Sequence, residues 1–348
     1  MTPFSRAWII LNESLSVHLM LSHIWTLMKK HAIALLGLGL LVLVLITAMV
    51  VATQTPAHVV SSVEIPAATH VKDVSADTVR ALDSVFENID YNWPPADPQG
   101  VPALVLNKLP NDFGEILSVD KRRELFLRAL LPIVLIENQR LREQRELASW
   151  LLEDKLPADG SPMRDWLNKL AKQLRVRGDL NEPAVREKIL LRLDEIPPAL
   201  ALAQAAIETG WGSSRFALEG NSLFGQWTFA KTGGLTPNDR DADATHLVAS
   251  FPDLRASVRA YMRNLNTGNA YHEFRTFRAA TRAAGKPLRA YELAGHLHRY
   301  SARGENYIAE IRRIIRSPAI AALAEASLAH GQQALTLMDD GSNEKSDS

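Results

Sequence analysis

The residue of this chain best suited to acid chemistry is Glu208. It sits near the end of PALALAQAAIET (198–209), an almost wholly apolar run followed at once by Gly210, Trp211 and Gly212. Such a run reads as a buried helix opened by Pro197 and Pro198 and stopped by Gly210. Proline suits the first helical turn and glycine the position just past the last. A carboxyl group in the last turn of a buried helix meets two effects of one sign. Burial disfavours its ionised form, and so does the negative end of the helix dipole. Both raise its pKa, which suits a general acid that must hold its proton near neutral pH. Gln204 lies one turn earlier on the same face, and Trp211 directly after would shield the acid from water. Gly210 and Gly212 would let a substrate approach the backbone closely. The plainer alternative is a surface carboxylate at a frayed helix end.

Other chemistries are excluded by residue type. The 348 residues include no cysteine, which removes disulfides, thiolate zinc sites, iron–sulfur clusters and a cysteine nucleophile together. Phosphate-binding and dinucleotide glycine loops and the Gly-x-Ser-x-Gly elbow are missing too, so no cofactor is expected. His296 and His298 stand at i and i+2, which point to different faces of a helix, so no metal is expected there. Lys plus Arg balances Asp plus Glu at 39 each, which argues against a nucleic-acid partner. Arg255, Arg259, Arg263, Arg275, Arg278 and Arg282 repeat at helical spacing. They read as a solvated face, or as one that attracts anionic partners.

Helices must position Glu208, because helical patterns dominate what precedes it. With 47% hydrophobic residues the chain is globular rather than disordered. Ser75–Thr78 offers an N-cap before Val79, Leu82, Val85 and Phe86. The stretch 91–102 is a Pro-rich loop, 118–156 a long helical region, and 163–174 and 183–193 two further helices. The tail 327–348, ending DDGSNEKSDS, reads as disordered.

Upstream, residues 32–52 (AIALLGLGLLVLVLITAMVVA) carry no charge. As a helix they would span about 31 Å, close to the hydrocarbon thickness of a bilayer. Lys29 and Lys30 precede the run and no Lys or Arg follows until Lys72. The positive-inside bias therefore places residues 1–31 in the cytoplasm and the rest outside. The run reads as a transmembrane anchor; Val50-Val51-Ala52 leaves open a cleaved signal segment. Met28-Lys29-Lys30 resembles the start of such a segment, so residues 1–27 are expected to be an upstream extension. Residues 53–74, rich in Thr, Pro, Ser and Ala, read as a linker.

Three blocks carry a resemblance. The first is Glu208-Thr209-Gly210-Trp211-Gly212 with Ser213-Ser214-Arg215-Phe216. The second is Gly220-Asn221-Ser222-Leu223-Phe224-Gly225-Gln226-Trp227. The third comprises SVRAYMRNLNTGNAY (257–271) and RYSARGENYIAEIRRII (299–315). In order and spacing they resemble the glucosaminidase domain of bacterial cell-wall hydrolases, glycoside hydrolase family 73, in its Bax-type branch. The helical stretch 127–146 is similar to the region preceding that domain in Bax-like proteins.

The resemblance implies a mostly helical α+β protein. A lysozyme-like catalytic domain with a small β-hairpin would occupy 196–318, preceded by a helical region at 75–195. It implies cleavage of β-1,4 bonds at N-acetylglucosamine in peptidoglycan, with Glu208 as general acid. Tyr300 and Tyr307 match the family's paired tyrosines, which would meet an acetamido group or position water. Gln204, Trp211, Asn221, Trp227 and Tyr307 become candidates for substrate binding. A glycosidase commonly pairs two carboxylates, about 5–5.5 Å apart for retention or 6.5–9.5 Å for inversion. In the family the second lies on the hairpin, here within 228–251, which contains no Glu. Asp239 is the nearest candidate, with Asp241 and Asp243 beside it. Without one, the substrate's own acetamido group would attack the anomeric carbon. A lytic transglycosylase on the same fold and a non-catalytic glycan-binding or scaffold protein are the alternatives.

Overall fold

The computed structural model describes residues 71–153, 156–228, 234–236 and 247–329. The apolar run 32–52, the segments on either side of it and the acidic stretch containing Asp239 lie outside the described residues. Among the described residues no helix is long and apolar enough to cross a membrane.

The protein is a mostly helical α+β fold. Strand β1 (Lys72–Val74) pairs in parallel with β2 (Leu104–Leu106), with Asp73 opposite Val105. Helix α1 (Val79–Asn88) makes the crossover, its N-terminus capped by Thr78, whose side chain accepts from the Ala81 N–H. The pairing corrects the linker expectation at its end. Lys72–Val74 is held because Val74 is buried beside a strand that is buried throughout.

Helix α2 (Val119–Glu153) is the longest helix among the described residues. Its segment LFLRALLPIVLIEN (125–138) offers no polar face, and every residue of it is buried. Helices α3 (Pro162–Gln173) and α4 (Pro183–Arg192) follow. Next come α5 (Pro198–Thr209) and the short α6 (Arg215–Gly220). Then β3 (Trp227–Thr228), β4 (Gly234–Leu235) and β5 (Leu247–Ala249) form an antiparallel sheet in the order β3-β5-β4. In place of a simple hairpin, β5 pairs with both neighbours. Helices α7 (Leu254–Thr267), α8 (His272–Ala283), α9 (Ala290–Ala294), α10 (Glu305–Ile315) and α11 (Pro318–Ala321) complete the fold. One core runs through both the helical region and the segment carrying Glu208, with α5 packed against α2, α9, α10 and α11.

The polar residues of α2 register it against the rest. Asn138 donates to Ile196 O at 2.7 Å and accepts from Ile196 N at 3.0 Å, fixing the chain just before α5 begins. Glu137 is fully buried and bonded to Arg255 (2.6 Å), Arg259 (2.8 Å) and Arg140 (2.9 Å). Burial alone would raise its pKa, but the arginine bonds outweigh that and hold it at about 2.

These contacts correct the solvated-face reading of the arginine series. Arg255 and Arg259 clamp Glu137. Arg275 is buried and donates to Leu265 O and Gly268 O at 2.9 and 2.8 Å, satisfying carbonyls at the end of α7. Arg278 is buried against the carbonyls of Glu195 and Leu191, and Arg282 grips the Asp194 carboxylate at 2.6–2.9 Å. Of the six, Arg259 and Arg263 are exposed, Arg259 with its guanidinium bonded to Glu137.

At the other end, Ser327–Ala329 run beside Val101 through the bonds Val101 N to Ser327 O and Ala329 N to Val101 O. The expected disordered tail is thus paired where it begins, because Leu328 and Ala329 are buried. Residues 330–348 lie outside the described residues.

Candidate active site

Helix α5 delivers Glu208 as its sequence requires. Pro198 stands in the first turn, residues 199–206 are buried, and Gly210 ends the helix in the left-handed conformation (φ 57°). The backbone stays left-handed through Trp211 (φ 62°) and Gly212 (φ 81°). Thr209 braces this turn, donating to Ala205 O at 2.6 Å and accepting from Gly212 N at 2.8 Å. A side chain at Gly212 would meet Phe113 and Phe126 at 2.9 Å, so only glycine fits.

The Glu208 carboxyl is partly buried, and burial raises its pKa. A hydrogen bond from Tyr307 and the charge of Arg303 oppose that rise, and Glu310 adds to it. Tyr307, on α10, donates to Glu208 Oε1 at 2.8 Å. Gly225 (φ 58°) lies against the other oxygen, and a Cβ there would stand 3.3 Å from Oε2.

Behind the acid is an aromatic floor. Phe224 stacks on Tyr261 of α7 with ring centres 3.9 Å apart, and Tyr300 stacks on Tyr307 at 5.5 Å. Tyr300 also meets the rings of Tyr261 and Tyr271 at 6.5 and 6.0 Å. Its hydroxyl donates to Phe224 O at 3.3 Å. The loop carrying Phe224 is pinned by Asn221, which caps α6 at φ 51° and donates to Phe251 O at 3.1 Å.

The candidates therefore divide. Glu208, Tyr300, Tyr307 and Gln204 come together. Gln204 and Tyr307 are buried, however, with Gln204 donating to the Tyr307 hydroxyl at 3.0 Å. Their place is behind the acid rather than against a substrate, because they lie in the core between α5, α7 and α10. Asn221 fastens the loop. Trp211 has a left-handed backbone, and its indole packs edge-on to Phe126 of α2 at 6.1 Å with the Arg123 guanidinium 5.2 Å from its centre. Trp227 is 63% exposed on β3, opposite Val248. Asp239 lies outside the described residues. His296 and His298 face different glutamates, Glu273 at 2.9 Å and Glu305 at 2.8 Å.

Gly225 belongs to the second sequence block, whereas Tyr261 and Arg303 were not singled out from the sequence. Tyr261 occupies an apolar position of an amphipathic helix and carries no signal that separates it from core packing.

Comparison with known proteins adds to this geometry. Residues 188–319 match the family model described as mannosyl-glycoprotein endo-beta-N-acetylglucosaminidase. The chain is 31% identical over 198 residues to "Protein bax" of Escherichia coli (strain K12), covering 56% of this chain and 69% of that protein. No solved structure matches it.

Proposed function

The chain belongs to the Bax-like family and carries a glucosaminidase domain, and from that premise we propose that it is an endo-β-N-acetylglucosaminidase of peptidoglycan. The observation that carries the reading is the Glu208 carboxyl, which closes a buried helix, is partly desolvated and has a raised pKa. A carboxyl so placed holds the proton that a leaving glycosidic oxygen needs. Glu208 protonates that oxygen, and water or the substrate's acetamido group displaces it at the anomeric carbon. A lysozyme-like fold for the glucosaminidase domain belongs to this reading. Trp227, exposed on β3, is suited to stack on a sugar face.

The reading includes a location. The uncharged run 32–52, with Lys29 and Lys30 before it, supports a single inner-membrane anchor with the enzyme in the periplasm.

The test is digestion of purified sacculi by the full chain, beside Glu208→Gln, with mass and reducing-end analysis of the products. Reducing N-acetylglucosamine ends from the wild type alone are expected. Anhydro-muramic products would make it a lytic transglycosylase. Sacculus binding by both proteins without products would make it a glycan-binding protein.

A further inference from the structure

The hydrogen bonds behind Glu208 form one directed chain. Tyr261 donates to Gln204 Oε1 at 2.7 Å, Gln204 Nε2 donates to the Tyr307 hydroxyl at 3.0 Å, and Tyr307 donates to Glu208 Oε1 at 2.8 Å. A phenol has one hydrogen to give, and an amide has distinct donor and acceptor ends. Each link therefore fixes the next. Tyr261 gives its hydrogen to the amide oxygen, which turns the amide nitrogen towards Tyr307. The Tyr307 hydroxyl, accepting from that nitrogen, directs its own hydrogen to Glu208 Oε1. Tyr261, Gln204 and Tyr307 are all buried, so bulk water cannot reverse the order.

We propose that this chain places the acid proton of Glu208 on Oε2, the oxygen against Gly225, and that Tyr261 and Gln204 are positioning residues for that proton. The inference rests on the glycosidase reading and refines it to one atom. A carboxyl oxygen that accepts the Tyr307 hydrogen acts as the carbonyl of the protonated group, and the hydroxyl is the other oxygen. Oε2 lies beside Gly225, where even a Cβ would stand 3.3 Å from it, so glycine keeps a side chain off that oxygen while Oε1 is taken by buried Tyr307. In the reversed arrangement, Gln204 Oε1 would accept from Tyr307, and Glu208 would donate from Oε1 into the core. Its proton would then point away from the substrate. The Tyr261 hydroxyl, two side chains away, selects between the two.

Among the described residues, the groups facing Glu208 come from a few elements. Tyr307 and Glu310 come from α10, Arg303 from the turn before it, Tyr261 from α7, and Tyr271 and Tyr300 from the flanking segments. Arg303 and Glu310 bond each other at 2.6 Å. Tyr261→Phe changes none of these charges and retains the ring that stacks on Phe224, so it acts on Glu208 through the chain.

The experiment compares the full-length wild type, Tyr261→Phe and Gln204→Met on sacculi across pH, with unfolding temperatures measured alongside. For Tyr261→Phe the KM stays unchanged and kcat falls about fivefold, the scale of one hydrogen bond. The alkaline limb of kcat rises by about half a pH unit, because the amide no longer holds the Tyr307 hydrogen on the carboxylate. Gln204→Met moves both further the same way. A Tyr261→Phe profile that superimposes on the wild type overturns the inference, as does a loss of activity with an unmoved limb.

A second readout needs no turnover. The infrared C=O stretch of protonated Glu208, isolated as the difference between wild type and Glu208→Gln, is expected at a hydrogen-bonded frequency, and at a free one in Tyr261→Phe. A free carbonyl in the wild type would place the proton on Oε1 and overturn the inference. A wild type that binds sacculi but never cleaves them would overturn the glycosidase reading, with the infrared result still deciding the proton's position.

Discussion

Tyr307 donates a 2.8 Å hydrogen bond to Glu208 Oε1 from a neighbouring helix, 99 residues along the chain. The bond favours the ionised carboxylate and so restrains the rise in pKa that burial causes. Removing the phenol oxygen lifts that restraint. In Tyr307→Phe the alkaline limb of sacculus cleavage, set by loss of the Glu208 proton, is expected to move up by about one pH unit. The ring and its stack on Tyr300 remain. A limb that moves down would mean that a group other than Glu208 sets it.

The raised pKa of Glu208 also makes a stability statement. The folded state holds this proton more tightly than the unfolded chain, whose Glu pKa is about 4.3. The stabilisation is complete below that value and is lost as pH rises through the folded pKa. Above its folded pKa the wild type therefore carries a partly buried charge that Glu208→Gln lacks. The inactive variant is expected to unfold at the higher temperature at pH 7, with the gap closing as pH falls towards about 4. Equal unfolding temperatures at pH 7 and at pH 4 would contradict a raised pKa.

Legibility in the sequence followed the strength of local signals. Helix α5 was readable from both ends, because Pro198 and Gly210 punctuate an apolar run that has only one stable environment. The long helix, α3 and α4 appeared within a few residues of their bounds for the same reason. The β1–β2 pair escaped because three-residue strands 32 positions apart have no period to detect. The arginines of α7 and α8 looked solvated because helical spacing says nothing of what faces a helix. Glu137 and Asp194, which pair with them, lie more than 80 residues away from Arg255, Arg259, Arg278 and Arg282. Gln204 was found as a neighbour of Glu208, but its partner Tyr261 was not, since a tyrosine on a buried helical face reads as packing.

Glu137 gives the opposite dependence on pH. Its pKa is held at about 2 although burial works against ionisation, because Arg259, Arg140 and Arg255 surround it. A depressed carboxyl contributes stability that is present above the unfolded value of about 4.3 and is lost as pH falls through the folded one. Replacing it by Gln leaves three arginines without their shared anion. Glu137→Gln is expected to lower stability by about 3 kcal/mol at pH 7, with the deficit shrinking below pH 4. Chemical denaturation of both proteins at pH 7 and pH 3 measures it, and a deficit independent of pH would show that packing rather than charge is lost.

Glycines 212 and 285 share a left-handed backbone, at φ 81° and φ 65°, yet differ in surroundings. A Cβ at Gly212 would lie 2.9 Å from both Phe113 and Phe126 and 3.0 Å from Leu109, whereas one at Gly285 would meet nothing within 4 Å. Gly285→Ala therefore carries only the backbone cost of about 1 kcal/mol. Gly212→Ala adds overpacking and is expected to cost about 3 kcal/mol in all. The clash has a consequence for the site. Gly212 N bonds Thr209, the residue after the acid, and Phe126 supports Trp211. Relief of the overlap shifts the turn that ends α5 and carries Glu208 with it. Misplacement of a catalytic group by about 1 Å costs on the order of a hundredfold in rate. Cleavage by Gly212→Ala below its own unfolding temperature is therefore expected to fall far more than its loss of stability implies, while Gly285→Ala cleaves like the wild type. Full activity in folded Gly212→Ala would show that the turn does not position the acid.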